Sequence, residues 1–449
     1  MNSGEFAKRR KALMRMMGGE SIAVIPSASV QFRNRDIDFP FRQDSDLLYL
    51  TGFNEPESVA VLMPGRKQGQ YILFCRERDK DQEIWYGRRS GPQGAVNQYA
   101  ADDAFPFGDI DEILPGLLEQ RKRVYYTLGR SVEFDQRLMG WLNQIRAKVR
   151  SGSHVPHEFV SLDYLLHELR LHKSRAEITA MKKAAGIAVS AHQRAMRVCR
   201  PGMYEYEVEA EILYEFRRSG TVPAYPSIVG GGANACILHY TENSAVLKDG
   251  DLLLIDAGGE YEGYASDITR TLPVNGRFTP PQRALYELVL KAQQAAIKKV
   301  QPGNRWNDPH DAAVKVLTRG LVALGLLKGR LNKLIKDEEY RRFYMHRTGH
   351  WLGLDVHDVG NYRIDDDWRV LKPGMTLTIE PGIYIPKHSK GVLRRWWDIG
   401  IRIEDDVLVT STGHKVLTQA LAKQPDHVEL HLRGLYHHVI GQIGVLAQR

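Results

Sequence analysis

The spacing of apolar residues changes partway along the chain. Up to roughly residue 170, short runs of β-forming residues at 21–26, 58–63, 71–75 and 124–128 alternate with polar and helical stretches. These runs are not accompanied by a glycine-rich loop of the nucleotide-binding type. The first part of the chain is therefore predicted to be an α/β domain.

Beyond this point, apolar residues recur at the spacing of amphipathic helices. Ser174, with Glu177 three residues later, has the pattern of a capping box, and Pro201 and Gly202 mark the end of that helix. A second helix is predicted to end near Gly220. Its apolar positions are Val208, Ile212, Leu213 and Phe216. Strands and loops are expected to follow.

The same order then occurs a second time. New helices are predicted to begin at Thr279 and at Asp308, each followed by proline, and β-rich segments come after them again. The segment 250–258, GDLLLIDAG, aligns without gaps with 374–382, GMTLTIEPG. A duplicated helix-helix-sheet unit explains this repeat. Two such halves, related by a pseudo-two-fold axis, would each present two carboxylates to that axis.

Length, charge and cysteine content restrict the class of protein. A chain of 449 residues exceeds one usual hydrophobic core, which predicts two domains. No apolar run approaches the ~20 residues of a membrane helix, and the basic N-terminus lacks the apolar stretch of a secretory signal, so a cytoplasmic location is expected. The 62 basic and 54 acidic residues give a net charge of +8, but the basic residues are scattered, which argues against a nucleic-acid partner. The three cysteines have no metal-binding spacing.

Candidate metal ligands lie at matched places in the repeat. Asp256 and Asp267 come from the first half, and Glu380 and Glu404 come from the second. Each acid lies beside β-forming residues or glycines, where a strand is expected to end. His350, in a glycine-rich segment, completes the set. Four carboxylates and one imidazole can hold two hard divalent cations, for which we expect Mn²⁺, with Zn²⁺ and Co²⁺ as alternatives.

Each of these residues also has an ordinary interpretation. Asp256 could be a turn residue, and a single histidine on a glycine-rich strand is usually structural. His346 and His350 stand four residues apart, as in a zinc-binding helix, but Gly349 and Gly353 make a helix unfavourable there. Only His350 is therefore predicted to be a ligand. Four apolar-flanked acids in two matched places favour the metal centre.

The chemistry that such a centre implies is hydrolysis by an activated water. Glu380 could accept the proton of that water as well as bind metal. His239 and His357 are candidates for hydrogen bonding to the scissile carbonyl or for delivering a proton to the leaving amine, with hydrogen-bonded loop histidines as the alternative. Arg402 could pair with a ligand carboxylate and fix its orientation.

The chain resembles the pita-bread metallopeptidases, which include methionine aminopeptidase, prolidase and aminopeptidase P. The best match is to the bacterial aminopeptidase P family, and it extends over nearly the whole chain. The segments that carry it are 42–43, 51–57, 83–88, 236–243, 348–358, 380–382 and 402–404, together with Asp256 and Asp267. The resemblance implies an α+β fold, with a pita-bread catalytic domain at 173–449 and a smaller creatinase-like α/β domain at 1–172.

The resemblance also implies an activity and an assembly. The activity is removal of the N-terminal residue from peptides with proline in the second position, by a hydroxide that bridges two Mn²⁺ ions. The metal ligands would be the five residues named above. A homotetramer is implied, with a dimer as the alternative, and no membrane partner is expected.

Further site residues follow from the resemblance position by position. His239, His346 and His357 would line the catalytic site, with Arg402 and Tyr384 near it. The substrate would be contacted by two tyrosines and by two residues of the first domain that match family positions near the substrate entrance. These positions are Tyr362, Tyr384, Trp85 and Asp36. The segment 361–369 is one residue longer than is usual in the family, which leaves the arginine after Tyr362 unassigned.

Other interpretations remain open at this point. Prolidase performs the same chemistry on dipeptides only, and a non-catalytic pita-bread module could bind protein or nucleic acid, although such modules typically lose ligands. The C-terminal histidines are expected to lie on a partly exposed helix or a frayed peptide, with a metal-storing tail as the alternative. They are His427, His431, His437 and His438.

Overall fold

The computed structural model describes residues 1–433. The chain forms two compact units, Met1–Arg170 and Leu171–Arg449. Each unit has its own hydrophobic core. None of the helices within residues 1–433 is long and apolar enough to cross a lipid bilayer. Cys75, Cys199 and Cys236 are free thiols, of which the first two are buried.

A mixed six-stranded sheet forms the centre of the first unit. The helices are α1 (Ser3–Met17), α2 (Ser45–Thr51), α3 (Lys80–Tyr86), α4 (Gly91–Tyr99), α5 (Ile110–Leu118), α6 (Val132–Ala147) and α7 (Asp163–Leu171). The strands are β1 (Ser21–Pro26), β2 (Phe32–Asn34), β3 (Ile37–Asp38), β4 (Val59–Leu62), β5 (Tyr71–Cys75), β6 (Asp103–Pro106), β7 (Arg123–Tyr125) and β8 (Glu158–Val160). The sheet order is β6-β5-β4-β1-β7-β8, with β1 antiparallel to β4 and parallel to β7.

The second unit contains the repeat. Its helices are α8 (Arg175–Val198), α9 (Glu205–Arg218), α10 (Pro280–Ile297), α11 (Asp308–Ala323), α12 (Leu331–Lys336) and α13 (Pro425–Leu432). Its strands are β9 (Val222–Pro223), β10 (Ile228–Gly231), β11 (Leu252–Asp256), β12 (Gly259–Tyr261), β13 (Tyr264–Ala265), β14 (Thr269–Pro273), β15 (Arg363–Ile364), β16 (Asp367–Trp368), β17 (Thr376–Ile379), β18 (Gly382–Ile385), β19 (Ile399–Arg402), β20 (Asp405–Val409) and β21 (His414–Val416).

The two halves of this unit follow the same plan. Helices α8 and α9 precede the antiparallel pair β11–β14, and helices α10 and α11 precede the antiparallel pair β17–β20. The Ser174–Glu177 capping box starts α8, and a Thr279–Gln282 box starts α10. Apolar side chains of α8 and α9 pack on β11 and β14, whereas those of α10 and α11 form a core with β17 and β20. The predicted repeat is therefore present in the fold.

A fully buried histidine on α8 makes the stability of this unit dependent on pH. His192 Nε2 lies 3.0 Å from the Ala257 carbonyl oxygen. That oxygen can only accept, so Nε2 carries a proton. Burial lowers the pKa of His192 to about 4, with a smaller opposing effect from Asp256 and a reinforcing one from Arg270.

We expect the free energy of unfolding to fall as the pH drops from about 6.5 towards 4. The unfolded chain takes up this proton near the usual histidine pKa and the folded chain only near 4, so the unfolded state binds more protons in this window. The loss is ~3 kcal/mol once the pH is below the folded pKa. His192→Gln keeps a donor for Ala257 and should flatten this part of the curve in urea unfolding. A slope equal to that of the wild type would contradict the prediction.

Candidate metal centre

Four acids of the second unit lie where its strands end or begin. Asp256 is the last residue of β11, and Glu380 directly follows β17. Asp267 precedes β14, and Glu404 lies between β19 and β20. The Glu404 N–H donates to the Thr269 carbonyl at 3.0 Å, which joins the two halves of the repeat. The strand ends therefore bring carboxylates from both halves to one place.

His350 lies on an extended segment and not on a helix. Trp351 makes a β-bridge with Leu377, and the Thr378 N–H donates to the His350 carbonyl at 2.9 Å. A Cβ atom on Gly349 would lie 2.0 Å from the Thr378 carbonyl oxygen. Only glycine fits at this close approach. It lets the segment pair with β17 and brings His350 next to Glu380.

The ring of His350 is oriented for coordination. Its Nδ1 lies 2.9 Å from the Trp351 carbonyl oxygen, which can only accept, so Nδ1 carries the proton. In the neutral ring, the Nε2 lone pair then faces Asp267 Oδ2 at 3.3 Å and Glu380 Oε1 at 3.8 Å. A lone pair directed at carboxylate oxygens is unfavourable unless a cation lies among them. The second nitrogen of a metal-binding histidine is commonly held in this way.

All five candidate ligands line one cavity of about 290 Å³. Ligand atoms of Asp267, His350 and Glu404 lie within 4.8 Å of one another. The rest of the lining is polar and basic, apart from one leucine and one glycine. It consists of Leu238, His239, His346, Arg347, Gly349, His357 and Arg402. The cavity thus combines a cluster of acids with histidines at hydrogen-bonding positions.

The carboxylates repel one another strongly. Burial, and then the charge of Asp256, raises the pKa of Asp267 well above its usual range. Burial and the charge of Asp267 do the same for Glu404. Burial and the charge of Glu404 raise the pKa of Glu380 to about 8. Such a cluster is stable in its ionised form only when positive charge is added, and divalent cations supply it.

Arg402 is, within residues 1–433, the one arginine or lysine in ion-pair contact with a candidate ligand. Its Nη2 donates to Asp256 Oδ2 at 2.5 Å. Its Nη1 donates to the Tyr384 hydroxyl at 3.0 Å, and that hydroxyl lies 2.9 Å from His346 Nε2. A continuous hydrogen-bond chain therefore runs from Asp256 to His346 along one side of the cavity.

Tyr225 contacts two candidate ligands and was missed by the sequence-based predictions. Its buried hydroxyl lies 2.7 Å from Asp256 Oδ1 and 2.6 Å from Asp267 Oδ1. It precedes β10, whose first residue, Ile228, is paired with Asp256. The pairing of β10 with β11 places Tyr225 beside two candidate ligands, and no sequence pattern indicates that pairing.

Next to the ligands lies a second buried charge cluster. Asp405 accepts hydrogen bonds from Arg270 Nη2 at 2.8 Å and from Lys423 Nζ at 2.5 Å. Arg270 Nη1 also donates to the Glu404 carbonyl at 2.5 Å. Burial alone would raise the pKa of Asp405, but the charges of Arg270 and Lys423 hold it well below its usual range. This cluster fixes the backbone that carries Glu404.

Three further histidines line the cavity. The His357 ring lies edge-on to the His350 ring, with 4.3 Å between centroids. Burial, and then the charge of His350, lowers the pKa of His357, and burial lowers that of His346 to about 3. Both rings are therefore neutral near pH 7. His239 is exposed on the loop between β10 and β11.

The other predicted residues lie outside the lining of this cavity. Tyr384 is fully buried against Arg402. Tyr362 stacks on Trp351 with 5.6 Å between ring centroids, and the segment after it forms the hairpin β15–β16. In the first unit, Trp85 on α3 is 80% exposed. Asp36, between β2 and β3, is also exposed.

The C-terminal histidines are only partly described. His427 is exposed and His431 is buried on α13. His437 and His438 lie outside the described residues.

Family models match both parts of the chain. The model for metallopeptidase family M24 matches residues 179–411, a region that contains all five candidate ligands. The chain belongs to metallopeptidase family M24. The model for the N-terminal domain of aminopeptidase P matches residues 6–125. The predicted family is confirmed, and with it the prediction of a hydrolase.

Relatives named Xaa-Pro aminopeptidases match the chain over almost its full length. The chain is 44% identical to Xaa-Pro aminopeptidase of Escherichia coli (strain K12) over 427 residues, which cover 95% of this chain and 96% of that protein. It is 34% identical to Xaa-Pro aminopeptidase 3 of Homo sapiens over 441 residues, which cover 95% and 85%.

Solved aminopeptidase structures have the same fold. Pseudomonas aeruginosa aminopeptidase PepP superposes with a TM-score of 0.96 at 57% identity, covering 97% of this chain and 99% of that one. Zinc-substituted E. coli aminopeptidase P in complex with product gives 0.94 at 43% identity, covering 97% and 99%. The predicted α+β fold class, with a pita-bread catalytic domain, is confirmed. Family membership and the donor set together identify a divalent-metal-binding protein.

Proposed function

We propose that this chain removes the N-terminal residue from peptides whose second residue is proline. The observation that carries the proposal is the single cavity in which five metal-binding side chains face three histidines and Arg402. The relatives that match it along their length are Xaa-Pro aminopeptidases. The catalytic domain would be 173–449, and 1–172 would be a separate N-terminal α/β domain.

The proposed ligands of two metal ions are Asp256, Asp267, His350, Glu380 and Glu404. An oxygen-rich, thiol-free set suits Mn²⁺, which we propose as the natural ion, with Zn²⁺ or Co²⁺ as alternatives. The Nε2 lone pair of His350 and the raised pKa values of three of the acids fit this occupancy. When bound, such ions lower the pKa of a water molecule and polarise the substrate carbonyl.

The remaining residues transfer protons and position the substrate. Glu380 accepts the proton of the attacking water. His239 and His357 donate hydrogen bonds to the scissile carbonyl oxygen, or a proton to the leaving amine. Arg402 holds Asp256, and through Tyr384 it orients His346.

Residues outside the cavity lining are proposed to contact the rest of the substrate. They are Tyr362, Tyr384, Trp85 and Asp36. For these residues the proposal rests on their match to the family motifs.

We also propose that the chain forms a homotetramer in the cytoplasm, with a dimer as the alternative assembly. Helix α3 supports an interface, because Ile84, Trp85 and Tyr86 are each 74–80% exposed, and large apolar side chains grouped in this way are typical of surfaces that a partner covers. The proposed location rests on the sequence-based expectation alone. Sedimentation equilibrium distinguishes the monomer, the dimer and the tetramer.

The decisive experiment for this function is a peptide length series. With Mn²⁺ added, we expect cleavage of Xaa-Pro tripeptides and longer peptides after the first residue, because nothing in the proposed chemistry requires a free carboxylate on the proline. Matched peptides with alanine in the second position serve as controls and should be cleaved far more slowly. Cleavage of dipeptides only would identify a prolidase. A protein that binds no metal and cleaves neither series would be a non-catalytic module.

A further inference from the structure

The carboxylate of Glu205 is fully buried and accepts four hydrogen bonds from one loop. Its Oε1 accepts from the Gly231 N–H at 2.7 Å and from Asn234 Nδ2 at 3.0 Å. Its Oε2 accepts from the Tyr240 hydroxyl at 2.8 Å and from the Ala245 N–H at 2.8 Å. Each carboxylate oxygen therefore accepts two hydrogen bonds, and the donors lie between residues 231 and 245.

Glu205 is held rigidly at the start of α9. Its own N–H donates to the Ala245 carbonyl at 2.9 Å. Within residues 1–433, no arginine, lysine or histidine lies within ion-pair distance of its carboxylate, so the four neutral donors satisfy this buried group. A carboxylate arranged in this way is a structural anchor that holds its hydrogen-bond donors, and with them the loop 231–245, in place.

The loop that Glu205 holds carries His239. Apart from a short 3₁₀ helix at Gly232–Cys236, residues 232–245 form no helix or strand, so sheet pairing does not fix them. His239 is exposed, and packing around its own side chain cannot hold it in place. Tyr240, the next residue, is buried, and its hydroxyl bonds to Glu205. The neighbours of His239 hold it at the cavity: Leu238 and Tyr240 pack against an apolar cluster, and Tyr240 is also bonded to Glu205.

Asn243 fixes the other side of the loop. Its side chain accepts from the Val229 N–H at 3.0 Å and donates to the Ser227 carbonyl at 2.9 Å. These bonds tie the loop to β10 and not to the segment around His239. Glu205 is the group that connects the start of the loop, the residue after His239 and the end of the loop.

We propose that Glu205 is a positioning residue that holds the loop 231–245 so that His239 faces the reacting carbonyl. The inference rests on the proposed function, because it gives His239 a role in turnover. Glu205 does not touch the substrate. It acts through Tyr240 and the backbone on the placement of the imidazole, and a displacement of about 1 Å at such a group costs on the order of 10²-fold in rate.

The test is a double-mutant cycle between Glu205→Gln and His239→Ala. A glutamine amide cannot accept at its nitrogen, so two of the four donors lose their acceptor. We expect Glu205→Gln to lower kcat by about 10- to 100-fold with the metal content unchanged. In the His239→Ala background, the same substitution should lower kcat by less than about 2-fold, because there is no longer an imidazole to position. Full additivity of the two effects would overturn the proposal.

Two further variants test whether the effect comes from the Glu205 hydrogen bonds: one removes a single donor, and the other is a matched control. Tyr240→Phe removes a single donor with little change in packing, so it should fold and show a smaller loss with the same dependence on His239. Glu207→Gln is the matched control, because Glu207 is exposed on the same helix, its side chain caps the N-terminus, and glutamine caps equally well. A loss for Glu207→Gln equal to that for Glu205→Gln would also contradict the proposal.

An independent readout separates this inference from the proposed function. Amide hydrogen exchange at Gly231 and Ala245, both donors to Glu205, should become faster in Glu205→Gln. Unchanged exchange shows that the carboxylate does not hold the loop, even if the enzyme is an Xaa-Pro aminopeptidase. If exchange becomes faster in Glu205→Gln but the wild type does not cleave Xaa-Pro peptides, the proposed function and the role of His239 are wrong. Glu205 would still be shown to hold the loop.

Discussion

Replacing Asp267 with alanine should lower kcat/KM by about 10³-fold or more, equivalent to ~4 kcal/mol of transition-state stabilisation. Its carboxylate lies 3.3 Å from His350 Nε2 and shares a ligand cluster with Glu404. Removing it leaves too few donors for two ions. The metal content, measured by elemental analysis after dialysis, should therefore fall below the two equivalents per chain expected for the wild type.

The metal-free fold should survive this substitution. Burial and the charge of Asp256 already disfavour the ionised form of Asp267, so its loss relieves repulsion. The thermal midpoint without metal should be equal to or above that of the wild type, and added Mn²⁺ should raise only the wild-type midpoint by several degrees. Asp249→Asn, an exposed acid ahead of β11, is the control. Full metal content with lost activity would show that Asp267 is not a ligand.

His357→Ala should lower kcat by about 10²- to 10³-fold while both metal ions remain bound. The ring lies against His350, and its pKa is lowered by burial and by that neighbour, so at neutral pH it offers one N–H to the substrate. The two quantities to measure are kcat and metal stoichiometry on the same sample. Because the His357 ring is proposed to contact the substrate and not a metal ion, kcat should fall while the metal stoichiometry stays unchanged.

His388→Asn provides the matched control for this variant. His388 is exposed in the same unit, and asparagine tolerates its positive φ of 64°. His388→Asn should change neither kcat nor the metal stoichiometry. Equal losses of metal and of turnover in His357→Ala would show that His357 binds metal or supports the fold.

Much of the second unit could be predicted because its signals are local. The capping residues at Ser174 and Thr279 mark helix starts within a few positions, and the ungapped alignment of 250–258 with 374–382 reveals the duplication. An acid among β-forming residues is conspicuous, because burial there requires a cation. Asp267 and Glu380 could therefore be proposed as ligands without knowledge of the strand pairing.

The residues that were missed depend on contacts between distant segments. Tyr225 contacts Asp256 and Asp267 because β10 pairs with β11, and Arg270 reaches the Glu404 carbonyl because the two halves meet. Glu205 looks like one of several acids along α9 until the loop folds onto it. In the first unit, the strand expected at 124–128 ends at Tyr125, ahead of the turn at Gly129, whose φ is 89°. Such features follow from tertiary pairing, which local patterns do not encode.

The Arg270–Asp405–Lys423 cluster has a consequence for how the protein handles its ions. Both basic side chains are already committed to Asp405, so they are not available to neutralise the candidate ligand carboxylates. The backbone that carries Glu404 is then held by contacts that do not depend on ions in the cavity.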